Sequence, residues 1–168
     1  MDRLATLELD AFPRRVTLMA VAAFAVLLVD VITKTVVVEL DPNGLVFHVS
    51  GREPFGLGAS LILVAAAGSV LACVLPVSAV AVAAGLALGG ALGNLASRHL
   101  WSGFGGSPDF IRFADGSKGN LADVAIAAGV SGMLIGTVAW LVWKTFGAGR
   151  NGGGADEPGG QSSSSSPS

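Results

Sequence analysis

Four long apolar stretches alternate with short polar ones, and the separators carry nearly all of the charge. The first stretch covers residues 16–38, follows Arg14 and Arg15, and is interrupted chiefly by Asp30, Thr33 and Lys34. It is long enough for a helix that crosses a bilayer, which takes about 20 residues. Residues 54–97 then form a run of 44 without one Asp, Glu, Lys or Arg. That is too long for one crossing, and Pro76-Val77-Ser78 interrupts it, so the pattern predicts a second span over residues 59–75 and a third over 79–95. A fourth is predicted over residues 121–143. Between the first two spans, residues 39–58 hold a turn at Pro42-Asn43-Gly44 and the strand-like Leu45-Val46-Phe47-His48-Val49, which predicts a small sheet lying on the membrane. Residues 98–118 form a second loop on the same side.

The predicted fold is an all-α membrane protein of four transmembrane helices, with a small extramembrane β segment between the first and second. Residues 1–15 read as a cytoplasmic N-terminus and 16–146 as the membrane domain. Residues 147–168 are dominated by Gly, Ser and Pro and read as a disordered tail, because they hold too little apolar surface to offset the entropy of ordering. Composition agrees: 52% of residues are hydrophobic and 13% charged, poor in charge for a soluble protein. The net charge of −2 comes without any basic patch, so no nucleic-acid partner is expected. Arg3, Arg14, Arg15, Lys144 and Arg150 fall on the side of the termini, against Arg52, Arg98, Arg112 and Lys118 on the loop side. This bias favours cytoplasmic termini. Pro13-Arg14-Arg15-Val16-Thr17-Leu18-Met19 faintly suggests a twin-arginine signal, but no small-x-small cleavage site follows, so an uncleaved anchor is expected.

Polar residues at membrane depth are costly and usually functional. Asp30 and Lys34 are one helical turn apart and can neutralise each other, either as an ion pair orienting the helix or as part of a site. Asn94 and Arg98 share a face at the end of the third span, and Asn120 and Asp123 share one at the start of the fourth. They belong to two similar runs, Gly93-Asn94-Leu95-Ala96-Ser97-Arg98 and Gly119-Asn120-Leu121-Ala122-Asp123, predicted at the same bilayer edge. Gly85, Gly89 and Gly93 recur every four residues and predict a close helix–helix seam. The single Cys73 excludes an internal disulfide and reads as buried packing. His48 and His99 have no metal-ligand spacing, so neither a metal nor a cofactor is expected.

Taken in order, Asp30-x-x-Thr33-Lys34, Gly93-Asn94-Leu95-x-x-Arg98, Asp109-Phe110-Ile111 and Asn120-x-Ala122-Asp123 resemble the motifs of lipoprotein signal peptidase, or signal peptidase II, over residues 14–145. The resemblance implies a four-helix aspartyl endopeptidase of the bacterial cytoplasmic membrane, multi-pass, that removes the signal peptide from diacylglyceryl-modified prolipoproteins just before the lipidated cysteine. Its expected partners are that prolipoprotein or lipoprotein and membrane lipid. Matching the water-activating dyad to the two Gly-Asn runs assigns Asp123 to one aspartate and Ser97 to the other. Asn94, Arg98, Asn120 and Phe55 are the expected substrate-binding residues, and Asp30 and Lys34 the structural polar pair. Phe55 alone survives of the family's loop segment, which here is Ser50-Gly51-Arg52-Glu53-Pro54-Phe55. A serine cannot replace an acid, and losing one general acid or base costs about 10²- to 10⁴-fold in rate. A Ser97 nucleophile is disfavoured, since His99 at i+2 points away. The expectation is therefore a weakened or inactive peptidase, the alternatives being a non-catalytic paralogue that binds lipoproteins, or rescue by a loop acid, Glu53, Asp109 or Asp115.

Overall fold

A computed structural model describes residues 2–40, 46–48, 56–101 and 106–147. The elements run α1 (Asp2–Leu40), β1 (Val46–His48), α2 (Gly56–Val74), α3 (Ser78–Leu100), β2 (Ser107–Asp109), β3 (Ile111–Arg112), β4 (Lys118–Gly119) and α4 (Leu121–Gly147). Three stretches are long and apolar enough to cross a membrane: Ala11–Leu40, Ser78–Leu100 and Leu121–Phe146. The helix α2 adds a shorter apolar run, Ile62–Val74. Glu53, Phe55 and the tail from residue 148 onward lie outside the described residues.

The predicted break at Pro76 separates α2 from α3. The helix α1, by contrast, begins at Asp2 rather than near Val16 and continues through Pro13. Apolar periodicity marks where a helix can enter lipid, not where it starts, and the polar residues before Val16 do not oppose helical backbone.

Small residues place α3 at the centre, packed against α1, α2 and α4. Ala81, Ala84 and Ala87 are buried there. A Cβ on Gly89 would come within 2.5 Å of the Ala23 carbonyl of α1, and one on Gly129 of α4 within 2.5 Å of the Ala83 carbonyl. Lipid is as apolar as leucine, so close backbone approach rather than the hydrophobic effect holds such helices together. The bulky residues accordingly face outward, among them Phe24 and Ile32 on α1 and Leu134, Ile135 and Trp143 on α4. Cys73 is buried, its thiol 3.4 Å from the Met19 sulfur.

The predicted strand β1 finds its partner in the other loop. It runs antiparallel to β2, with Val46 opposite Asp109 and His48 opposite Ser107, and so ties the α1–α2 connection to the α3–α4 connection. The α3–α4 connection also folds on itself, β3 pairing with β4 so that Ile111 faces Gly119. Gly116, at φ 85°, closes that hairpin in the left-handed region.

Gly129→Val is expected to lower the thermal midpoint in detergent by an amount matching about 1–3 kcal/mol of overpacking, or more. Gly68→Ala is the control, since nothing lies within 4 Å of the added carbon.

Candidate active site

The run Asn120-Leu121-Ala122-Asp123 opens α4 as a reciprocal cap. The Asp123 amide donates to Asn120 Oδ1 at 3.3 Å, and the Asn120 amide donates to Asp123 Oδ2 at 3.0 Å. The intervening Ala122 amide donates to Asp30 Oδ1 at 2.9 Å, across the bundle from α1. Two carboxylates thus occupy the positive end of α4, where the helix dipole favours negative charge.

Asp30 and Lys34 make the expected pair, with Nζ donating to Asp30 Oδ2 at 2.7 Å, and neither side chain is exposed. The ammonium has two further acceptors on α3, Ser97 Oγ at 2.8 Å and Asn94 Oδ1 at 3.1 Å. All three of its protons are used. Gly93 makes this possible: any Cβ there would sit 2.6 Å from Asp30 Oδ2, so the third glycine of the seam makes room for a carboxylate rather than a helix. Asn94 then spans two groups, because its amide nitrogen donates to Asp123 Oδ1 at 2.8 Å.

On the other side of this network lies a cavity of about 260 Å³, lined by Asn94, Arg98, Ser107, Asp109, Lys118, Asn120 and Asp123. Four of the expected residues, Asn94, Arg98, Asn120 and Asp123, therefore meet on one wall. Asp30, Lys34 and Ser97 lie behind it. Ser97 is wholly buried, its hydroxyl donating to the Gly93 carbonyl at 2.7 Å while accepting from Lys34. It does not line the cavity. Helical phase explains this, since Asn94 and Arg98 share one face of α3 whereas Gly93 and Ser97 share the neighbouring face, rotated about 100° toward α1.

The other acid that lines the cavity with Asp123 is Asp109, brought there by β2 and 5% exposed. Asn120 grips both: its amide nitrogen donates to Asp109 Oδ1 at 2.8 Å while its carbonyl oxygen caps Asp123. The same nitrogen reaches Ser107 Oγ at 3.3 Å. Asp115 is not part of this wall. It lies exposed in the β3–β4 turn, and hydrogen bonds from the Ser117 hydroxyl and amide hold its carboxyl below the usual value. Ser107 and Lys118 were not among the expected site residues. Nothing local marks Ser107, whereas Lys118 directly precedes the second Gly-Asn run.

Two carboxylates thus line one cavity, Asp109 bonded to the Asn120 side chain and Asp123 to its backbone amide, a pair of the kind that can divide acid and base roles. Asp123 accepts a donor on each oxygen, the Asn94 amide nitrogen on Oδ1 and the Asn120 backbone amide on Oδ2. Among the described residues no group of His, Cys, Asp and Glu is arranged to hold a metal ion.

Lys34→Met alone strands the Asp30 carboxylate in the bundle and is expected to cost about 3–5 kcal/mol in detergent unfolding. Adding Asp30→Asn should recover most of that loss, because it removes the stranded charge while keeping an acceptor for the Ala122 amide.

A family model described as Signal peptidase (SPase) II matches residues 22–139, the greater part of the chain and all of these residues. Neither a curated protein nor a solved structure matches.

Proposed function

The chain belongs to the signal peptidase II family, and from that premise we propose that it is an active prolipoprotein signal peptidase whose dyad is Asp109 and Asp123. The single observation that carries this reading is that these two carboxylates line one cavity and are held by one asparagine. The reading as a weakened or inactive member draws on the serine at position 97 and on the altered loop segment around residues 50–55. Against it, Ser97 lies behind the wall, hydrogen-bonded to Lys34, and does not line the cavity.

The chemistry follows from the donors. Asp123, ionised, takes a proton from a water in the cavity, and the hydroxide forms a bond to the scissile carbonyl carbon. Asp109 holds the shared proton and gives it to the carbonyl oxygen as the tetrahedral species forms. On collapse the C–N bond breaks and the proton held by Asp123 goes to the leaving amine, which becomes the N-terminus of the lipidated cysteine. The other hydroxyl proton returns to Asp109, restoring the dyad. The repulsion of neighbouring carboxylates separates their proton affinities, so one acts as acid while the other acts as base. Arg98 and Asn94 edge the cavity where the peptide backbone would lie, and Phe55 is assigned to the substrate's apolar part.

The protein is a multi-pass membrane protein. In the proposed arrangement α2 completes four crossings of the bacterial cytoplasmic membrane, residues 1–15 and those after Gly147 lie in the cytoplasm, and the cavity opens outward beneath the strands. Cysteine introduced by Asp115→Cys is then expected to react with an impermeant thiol reagent added to intact cells, while Lys144→Cys stays unlabelled until the cells are broken.

Cleavage of a diacylglyceryl-modified prolipoprotein by the purified protein tests the dyad. Asp109→Asn and Asp123→Asn are each expected to lower the rate at least about 10³-fold, whereas Ser97→Ala retains activity within about threefold. Undiminished cleavage by Asp109→Asn would remove it from the dyad, and a gain from Ser97→Asp would return the reacting centre to position 97.

A further inference from the structure

We infer that Lys34 is a positioning residue for the peptidase reaction, acting through Asn94 to hold a hydrogen-bond donor on the carboxylate of Asp123. The inference rests on the reading of Asp123 as the base. A primary amide has one accepting end and one donating end. The Lys34 ammonium binds the oxygen of Asn94 at 3.1 Å and thereby leaves only the nitrogen to face Asp123, which it meets at 2.8 Å. Turned around, the same amide would set its oxygen against the carboxylate and its N–H groups against an ammonium, both unfavourable. The cation thus fixes the polarity of a hydrogen bond one residue away, without touching the reacting atoms.

Three constraints hold the relay in place. Asp30 and Ser97 take the other two ammonium protons, so Nζ cannot turn toward another partner. Ser97 is itself pinned to the Gly93 carbonyl, one turn back on α3. Asp30 also accepts the Ala122 amide next to Asp123, which sets the distance between the ammonium and the head of α4. Ser97 thus has a part in this chain that is not chemical: it fills the third site on Lys34 as a neutral acceptor, leaving Asp30 as the one carboxylate on the ammonium.

The charged groups around Asp123 are Asp30 and Lys34 on α1, Arg98 on α3, Asp109 on β2 and Lys118 on β4. A change in any of their charges would also move its titration. The informative variant therefore carries both Asp30→Asn and Lys34→Met, which removes one charge of each sign and leaves the net charge around Asp123 as it was. What changes is the grip on Asn94.

The experiment is the pH dependence of prolipoprotein cleavage, measured for the native protein, for the double variant and for Asn94→Leu. A carboxylate that loses a hydrogen-bond donor is harder to ionise, so the base is protonated at a higher pH and the acidic limb moves upward. Both variants are expected to move that limb up by about one pH unit and to lower kcat about tenfold with KM within about twofold. Combining all three substitutions should add little, since they break one relay. An acidic limb unmoved in the double variant but moved in Asn94→Leu would overturn the role of Lys34 and leave it a purely structural cation. A limb unmoved in both would overturn the relay altogether. Absence of cleavage by the native protein would instead count against the peptidase reading itself.

Discussion

The interaction on which the rest depends is the buried ammonium of Lys34, held inside the bundle by Asp30, Asn94 and Ser97. A charge without water is tolerated only when every proton has an acceptor. One acceptor comes from α1 and two from α3, and Asp30 extends the set to α4 through the Ala122 amide. Satisfying one cation therefore fixes how three helices meet. It also dictates sequence beyond the charged pair: position 93 must lack a side chain, or Asp30 would have no space. The apolar faces can slide in lipid at small cost, but this polar junction admits one arrangement, and the start of α4 is part of it.

The second constraint lies outside the helices. Asp109 has no helix to hold it, and it reaches the cavity because β2 pairs with β1 from the opposite connection and because Asn120 binds its carboxylate. Asn120 consequently has three tasks. It caps α4, steadies Asp123 through its backbone amide, and bridges to Asp109. Under the proposed dyad, capping and catalysis draw on the same residues, which gives the Asn-x-x-Asp spacing a structural reason beside the chemical one.

Much of this was legible in the sequence. The apolar stretches give the helices, Pro76 gives a break, and the i,i+4 spacing of Asp30 and Lys34 gives their pairing. The two Gly-Asn runs come together as their placement at neighbouring span ends implies. The motif puts Ser97 at the place of a dyad aspartate, whereas the structure puts its side chain behind the cavity wall. Residues 94 and 98 share one face and residues 93 and 97 the next, a difference of one step in helical phase that decides between cavity and core. The place of Asp109 was beyond local pattern, since it depends on a long-range strand pairing between two connections. The length of α1 was missed because hydropathy reports solvent, not backbone.

The most direct test of the central claim, that Asp109 and Asp123 work as a pair sharing one proton, is the full pH–rate profile of the native protein acting on a diacylglyceryl-modified prolipoprotein. A coupled dyad predicts a bell, its acidic limb reporting protonation of the base and its basic limb loss of the shared proton, with both limbs belonging to the pair. A profile that rises through one acidic limb and then stays level into alkaline pH would mean that a single carboxylate works alone, and would contradict the account.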